Sequence, residues 1–320
     1  MNVIFLGATK FSLELIDFLV NNDIKIQAIY TTKENIVLPK SKTKINNVNH
    51  VDLYEYKYLK DTPIREVAEE KSLSAYKEEI SNFNPDVIIA AGWYYMVPEA
   101  VRVIPKNGVW GIHASFLPKY AGWSPLVWAL INGENDTGVT IFKMDNSIDG
   151  GDIVKQKKIN IDFDDTIDTL YKKVTETTKS ILKNLLSEES KINFTKQNQE
   201  SLEVYPRRTE SDGILDFNQN ALQVYNFVRA QTRPYPGAFA YLDEKKLILW
   251  ITKPSNKVFQ DKELGEIVIE NEIAYISLVE SSIIVNEVEY ENKTWNFNKL
   301  VMEKKLEGSL IYTSIKKMEE

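Results

Sequence analysis

The chain has 320 residues, 43% of them hydrophobic, and a formal net charge of −7, enough for two domains or one large one with a sizeable core. The acidic total argues against a nucleic-acid binder, whose affinity rests on Lys and Arg neutralising phosphates. The sequence has no cysteine and only two histidines, which excludes disulfides, Fe–S clusters, Cys-based zinc sites and thiol catalysis and leads us to expect no metal.

Residues 2–6 form a short apolar run ending at Gly7. Thr9 is placed to cap a helix in which Phe11, Leu15, Phe18 and Leu19 recur at helical spacing and Asn21, Asn22 and Asp23 end the pattern. Ile24, Ile26, Ala28 and Tyr30 alternate as a second strand. Strand, helix and strand joined by short links predict a right-handed βαβ unit and a parallel sheet. Residues 33–50 are polar and lysine-rich and read as a long surface loop. Residues 86–91 are apolar almost throughout and lead into Gly92, the pattern of a buried strand. Further on, 109–113 reads as a strand, 125–132 as a helix with Pro in its first turn, 138–144 as a strand, and 167–185 as a long amphipathic helix.

Residues 187–203 are polar and weakly periodic, and are expected to connect two domains. The last third carries one helix near 219–231 and β-rich segments at 246–251, 264–269, 273–279 and 282–287, the spacing of a small barrel or open sheet. The first residues lack a basic leader with a cleavage site, and no apolar run approaches the ~20 residues a bilayer requires. The expected location is therefore the cytoplasm, away from any membrane.

Chemistry concentrates in residues 111–152. His113 ends a predicted strand, and open α/β sheets bind ligands beyond the carboxyl ends of their strands. Pro118, Gly122 and Pro125 follow in a turn-forming run, and a later strand delivers Asp145, Asp149 and Asp152 into a Gly-rich loop. An imidazole and a carboxylate from two strand ends can meet, the carboxylate fixing the tautomer. A hydrogen-bonded structural histidine beside a solvated acidic loop satisfies the same pattern.

Taken in order, His113, Ser115, Leu117 and Pro118, then Gly122 and Pro125, then Thr137-Gly138-Val139-Thr140, then Met144-Asp145, Asp149, Gly151 and Asp152 resemble the motifs of the 10-formyltetrahydrofolate-dependent formyltransferases. That family includes methionyl-tRNA formyltransferase, the sugar N-formyltransferases and the formyltransferase half of the bifunctional aminoarabinose-modifying enzyme. The likeness extends to Ala91-Gly92-Trp93-Tyr94-Tyr95-Met96-Val97-Pro98, where the family's folate-contacting loop falls, and to Arg207-Arg208-Thr209, Asp212-Gly213 and residues 228–239.

The resemblance implies an α/β protein: a Rossmann-like doubly wound sheet, the formyltransferase fold, over 1–190, and a smaller β-rich, OB-like domain over 205–320. It implies 10-formyltetrahydrofolate as co-substrate, bound by Gly92, Trp93, Tyr94, Tyr95, Met96, Asp145 and Asp149. His113 is the expected catalytic group, polarising the formyl oxygen or taking a proton from the attacking amine, with Asp149 orienting it. The family's catalytic Asn falls at Gly111, which has no side-chain donor. A backbone N–H, Asn146 or a water is expected to substitute, and a homologue that binds without turnover is the alternative.

The expected acceptor is the amine of a nucleotide-linked amino sugar of glycan or lipopolysaccharide biosynthesis, with Ser115, Pro118, Lys119, Trp123, Arg207 and Arg208 lining its site. The Arg207-Arg208 pair resembles the aminoarabinose enzyme, and arginine suits a diphosphate through bidentate hydrogen bonds. A salt bridge joining domains is the plainer role for the pair. Initiator tRNA is the alternative acceptor, supported by Lys33, Lys40, Lys42 and Lys44 in the 33–50 loop and opposed by the acidic total. Gly7 alone is a weak phosphate-loop signal, His50 lies in a polar loop, and the C-terminal strands offer a surface for a homodimer.

Overall fold

The computed structural model describes residues 1–37, 44–68, 72–187 and 192–313. Lys40 and Lys42 lie outside them. The chain divides into two compact units: the first comprises 1–125, 136–160 and 172–206, the second 126–135, 161–171 and 207–320.

In the first unit a seven-stranded sheet is built from β1 (Val3–Leu6), β2 (Ile26–Thr31), β5 (Ile64–Glu66), β6 (Val87–Ala90), β7 (Val109–His113), β9 (Asp136–Lys143) and β10 (Ile153–Asn160). Two short pieces, β3 (Asn35–Val37) and β4 (Lys44–Asn46), make a separate hairpin. Their order across the large sheet is β10-β9-β7-β6-β1-β2-β5. Strands β5, β2, β1, β6 and β7 run parallel, as the βαβ pattern predicts, whereas β9 and β10 are antiparallel additions. The parallel core has the expected composition: every residue of β1 and β6 is buried. Strand β10 escapes the sequence reading because Lys155, Lys157 and Lys158 interrupt its apolar pattern, as suits an edge strand.

Helix α1 (Lys10–Asn21) starts where expected. Thr9 accepts from Ser12 N and closes a capping box, and Leu15, Ile16 and Leu19 are buried. Burying each of these three is worth about 1.5–3 kcal/mol. Ser12 has a second task. Its hydroxyl donates to Ala91 O at 2.7 Å and accepts from Thr9 N at 3.0 Å, so the loop after β1 and the loop after β6 are sewn together. Gly7 belongs to this seam and not to a phosphate loop, because a Cβ there would stand 2.5 Å from Ala91 O.

Helices α2 (Lys77–Asn82), α3 (Glu99–Arg102) and α4 (Pro125–Ile131) are short, and α5 (Ile167–Ser187) is long; the division between units falls within α4 and α5. The stretch expected as a connector is partly folded onto the first unit. Ile153 N donates to Thr195 O at 2.7 Å and Thr195 N to Ile153 O at 2.9 Å. A little further on, β11 (Val204–Tyr205) pairs in parallel with β8 (Ala121–Gly122).

The second unit holds a six-stranded antiparallel sheet of β12 (Ala238–Leu242), β13 (Lys245–Ser255), β14 (Ile267–Glu270), β15 (Ile273–Leu278), β16 (Ser281–Tyr290) and β17 (Lys293–Asn296). Helix α6 (Ala221–Gln231) carries Val224 and Val228 into a core shared with Leu247, Leu249, Ile276 and Val285. One helix was expected here; a second, α7 (Phe297–Lys304), is capped by Asn296 and buries Phe297, Leu300 and Val301. Among the described residues no helix is long and apolar enough to cross a membrane.

Ser12→Ala is expected to leave Ala91 O and Thr9 N without their buried partner and to lower unfolding free energy by about 1–3 kcal/mol, read from urea denaturation with an unchanged m-value.

Candidate active site

Parallel strands β1, β6 and β7 bring Leu6, Ala90 and Gly111 into one row. His113 ends β7 two residues beyond that row, at the carboxyl edge of the sheet, and is 8% exposed. Its imidazole is held from both sides. Nε2 lies 2.7 Å from Tyr120 O, and because a carbonyl only accepts, Nε2 carries the hydrogen. Nδ1 faces Asp149 Oδ2 at 3.5 Å. That same carboxylate oxygen accepts from Gly122 N at 2.8 Å. Asp149 sits in the loop after β9 with φ 53°, and Gln197 Nε2 donates to both Asp149 O and Gly151 O, at 2.8 and 2.6 Å. An oriented imidazole with one nitrogen committed to hydrogen donation leaves the other free to exchange a proton beside a carboxylate.

Ser115 supports the turn that follows. Its hydroxyl donates to Lys119 O at 2.7 Å, and its carbonyl accepts from Thr140 Oγ1 at 2.8 Å. Pro118 follows Leu117 through a cis peptide, and Leu117 O accepts from Gln156 Nε2 at 2.7 Å. Ser115 and Pro118 thus shape the loop, while the Lys119 side chain belongs to an exposed residue.

The loop after β6 presents aromatic surface. Gly92 has φ +63°, and a Cβ there would stand 2.2 Å from Thr9 Oγ1, so only glycine lets the chain turn off the strand at this point. Trp93, Tyr94 and Tyr95 are half-buried, and Met96 is 64% exposed. Trp93 and Tyr95 meet edge to face at 5.8 Å. Tyr94 inclines toward Trp123 with ring centroids 6.3 Å apart, and its hydroxyl donates to Asn47 Oδ1 at 3.1 Å. Asp145 accepts from Ser147 N at 2.8 Å and turns its own loop. The structure therefore brings His113, Asp149, Trp123 and the 92–96 loop into one unit.

Arg207 and Arg208 belong to the second unit. The guanidinium of Arg208 lies over Trp128 at 4.8 Å and Phe227 at 5.6 Å, and donates to Gln231 Oε1 and to Asp212 O. Burial pushes its guanidinium below the usual arginine range, with Asp212 opposing. These contacts of Arg208 all lie within the second unit. His50 is also engaged, its Nε2 lying 2.9 Å from Thr32 O. Sequence reasoning missed Tyr120 and Gln197, and marked Gly122 only as a turn and motif residue. Two of these act through main-chain atoms, which no side-chain motif records.

Gly111 has a steric reason. It lies opposite Phe142 on β9, and a Cβ built on it would stand 2.7 Å from two atoms of that ring and 3.0 Å from Met144 Cε. Phe142 fills the space a side chain at 111 would occupy. Asn146, the other amide considered, accepts at Oδ1 from Arg102 Nη2. Among the described residues no group of three or more His, Cys, Asp or Glu side chains is arranged to hold a metal ion. Gly111→Asn is expected to overpack the strand and cost about 1–3 kcal/mol in thermal or denaturant unfolding. Combined with Phe142→Ala, which frees that space, it is expected to cost less than the sum of the two single changes, a coupling that a double-mutant cycle reads directly.

Comparison with known proteins accounts for this arrangement. Residues 1–186 match the model of the family described as Formyl transferase, and 208–300 match that of Formyl transferase, C-terminal domain. The chain is 42% identical over 178 residues to the bifunctional polymyxin resistance protein ArnA of Wigglesworthia glossinidia brevipalpis, a match that covers 55% of this chain and 27% of that protein. It is 26% identical over 330 residues to methionyl-tRNA formyltransferase of Clostridioides difficile (strain 630), covering 98% of this chain and 99% of that one. Among solved structures, the N-formyltransferase from Helicobacter canadensis, in complex with folinic acid and dTDP-3-aminofucose, superposes with a TM-score of 0.64 at 18% identity, covering 89% of this chain and 98% of that one. With its first 186 residues and most of the remainder matched by the two models, the chain belongs to the formyl transferase family.

Proposed function

We propose that this chain transfers a formyl group from 10-formyltetrahydrofolate to the amine of a nucleotide-linked amino sugar, with 1–190 as catalytic domain and 205–320 as the second domain. The half-buried Trp93 and Tyr95 rings and the exposed Met96 fit a flat heteroaromatic ring system, which packs well on aromatic and thioether surface. When bound, 10-formyltetrahydrofolate supplies a formyl carbon whose bond to its nitrogen breaks as the acceptor nitrogen bonds to it, one proton passing from acceptor to folate nitrogen. His113 Nδ1 would take the proton that the acceptor loses and pass it to the departing folate nitrogen. The resulting imidazolium is held by the Asp149 carboxylate at Nδ1 and the Tyr120 carbonyl at Nε2. Trp123 and Tyr94 form a wall against which a sugar or base ring can pack.

The single observation that carries this reading is the imidazole at the carboxyl edge of the sheet, with Nε2 held by the Tyr120 carbonyl and Nδ1 facing the Asp149 carboxylate at 3.5 Å. The choice of a sugar over tRNA rests on charge. In the second unit Arg233, Lys245, Lys246, Lys257, Lys262 and Lys304 each face a carboxylate. Cations already paired add little to the binding of a phosphate backbone. The ArnA and H. canadensis likenesses point the same way; the C. difficile relative favours tRNA as the second reading.

His113→Asn is expected to lower turnover by about 10²–10⁴-fold with the fold intact; near-normal turnover removes the histidine's role. A thermal-shift panel of UDP- and dTDP-linked amino sugars with a stable formylfolate analogue separates the acceptors. A ligand at a hundred times its Kd adds about 2.7 kcal/mol. Stabilisation by folate alone, with formylation of initiator methionyl-tRNA, selects the second reading, and binding of both ligands without turnover selects a non-catalytic homologue.

A further inference from the structure

We propose that Tyr205 is a positioning residue for His113, and that the strand it belongs to serves as the clamp that holds the imidazole in register. The proposal rests on the catalytic reading of His113 given above. The ring is held by the Tyr120 carbonyl and faces the Asp149 carboxylate. One backbone segment supplies the first of these groups and anchors the second. Tyr120 supplies the carbonyl on Nε2, and Gly122 supplies the N–H that anchors Asp149 Oδ2, the oxygen facing Nδ1. That segment cannot hold its own shape. Tyr120, Gly122 and Ser124 have φ of 58°, 91° and 52°. A non-glycine residue in this region costs about 1–3 kcal/mol and persists only where its surroundings over-determine it.

Residues 202–205 supply those surroundings. The Tyr205 ring lies against the Tyr120 ring with centroids 4.6 Å apart and planes at 34°. Val204 and Tyr205 pair with Ala121 and Gly122, and Tyr205 O accepts from Trp123 N at 3.1 Å. Glu203 N donates to Pro118 O at 3.3 Å, and Leu202 packs on a cluster of Leu117, Ala121 and Phe142. The approach is close enough to demand glycine, since a Cβ on Gly122 would stand 2.6 Å from Tyr205 O. Four consecutive residues thus fix, from one side, the carbonyl and the amide that define both faces of the imidazole. Nothing in the polar composition of 187–203 distinguishes this clamp from a linker.

The sequence offers a clean spectroscopic test, because His113 has one companion, His50, and His50 hangs from a different main-chain carbonyl, that of Thr32. Nitrogen-15 NMR of the two imidazoles in the full chain reads tautomer and hydrogen bonding without any substrate. Tyr205→Ala should move the His113 nitrogens away from the Nε2–H pattern and leave those of His50 in place. In the formyl-transfer assay it should lower kcat about tenfold to a hundredfold, the effect of a misplaced catalytic group, with KM for either substrate changed less than about threefold. Tyr205→Phe keeps the ring and should restore both readouts. If Tyr205→Ala does not fold, Gly122→Ala, which pushes on the same clamp, takes its place with the same expected pattern. Unchanged His113 signals in the Ala variant overturn the proposal, as does a joint shift of His113 and His50, which marks a general loosening. A wild-type chain that shows the clamped His113 pattern but transfers no formyl group would instead sink the functional reading and leave the clamp standing.

Discussion

A backbone carbonyl cannot donate a hydrogen bond, and this one-way chemistry organises the site. With Tyr120 O 2.7 Å from His113 Nε2, the ring is committed to one orientation, and its other nitrogen is turned to Asp149. Everything nearby serves to keep that carbonyl aimed. The turn between β7 and α4 alternates left-handed residues, and Gln156 and Thr140 tie the turn back to the sheet. Strain of this kind is tolerated at functional sites because the neighbouring structure over-determines it.

Close approach is the second constraint. At Gly92 the loop after β6 meets the cap of α1, and at Gly111 the strand meets Phe142. In the first case the contact turns the aromatic loop off the end of β6. In the second a packed ring takes the space that a side chain at 111 would occupy.

Exposed ion pairs occur in both units, as with Lys106 and Asp86 in the first. In the first, the carboxylate that matters is engaged by a backbone amide and an imidazole. In the second, cations lie over aromatic rings and beside glutamates, as with Arg233 over Trp250 and against Glu287. Exposed pairs of this sort contribute little stability, but they neutralise the surface on which a long phosphate chain would depend.

Local rules acting on side chains determined much of this protein. Apolar runs and helical spacing marked β1, α1, β2, β6, β7 and α5, and the motif order from His113 to Asp152 marked the family, because strand burial and motif identity are written in residue type. The sequence also marked His113 and Asp149 as candidates. Only the tertiary structure decided that they face each other at 3.5 Å, that Phe142 fills the space over Gly111, that Arg208 is packed on Trp128, and that a polar stretch resembling a linker supplies Thr195, and the residues just after it Tyr205, to the first unit. Edge strand β10 and helix α7 were likewise decided there. The physical reason is common to all of them. Main-chain carbonyls, amides and steric gaps have the same chemistry at every position, so their partners are set by which distant segments the fold brings together and leave no trace in residue type.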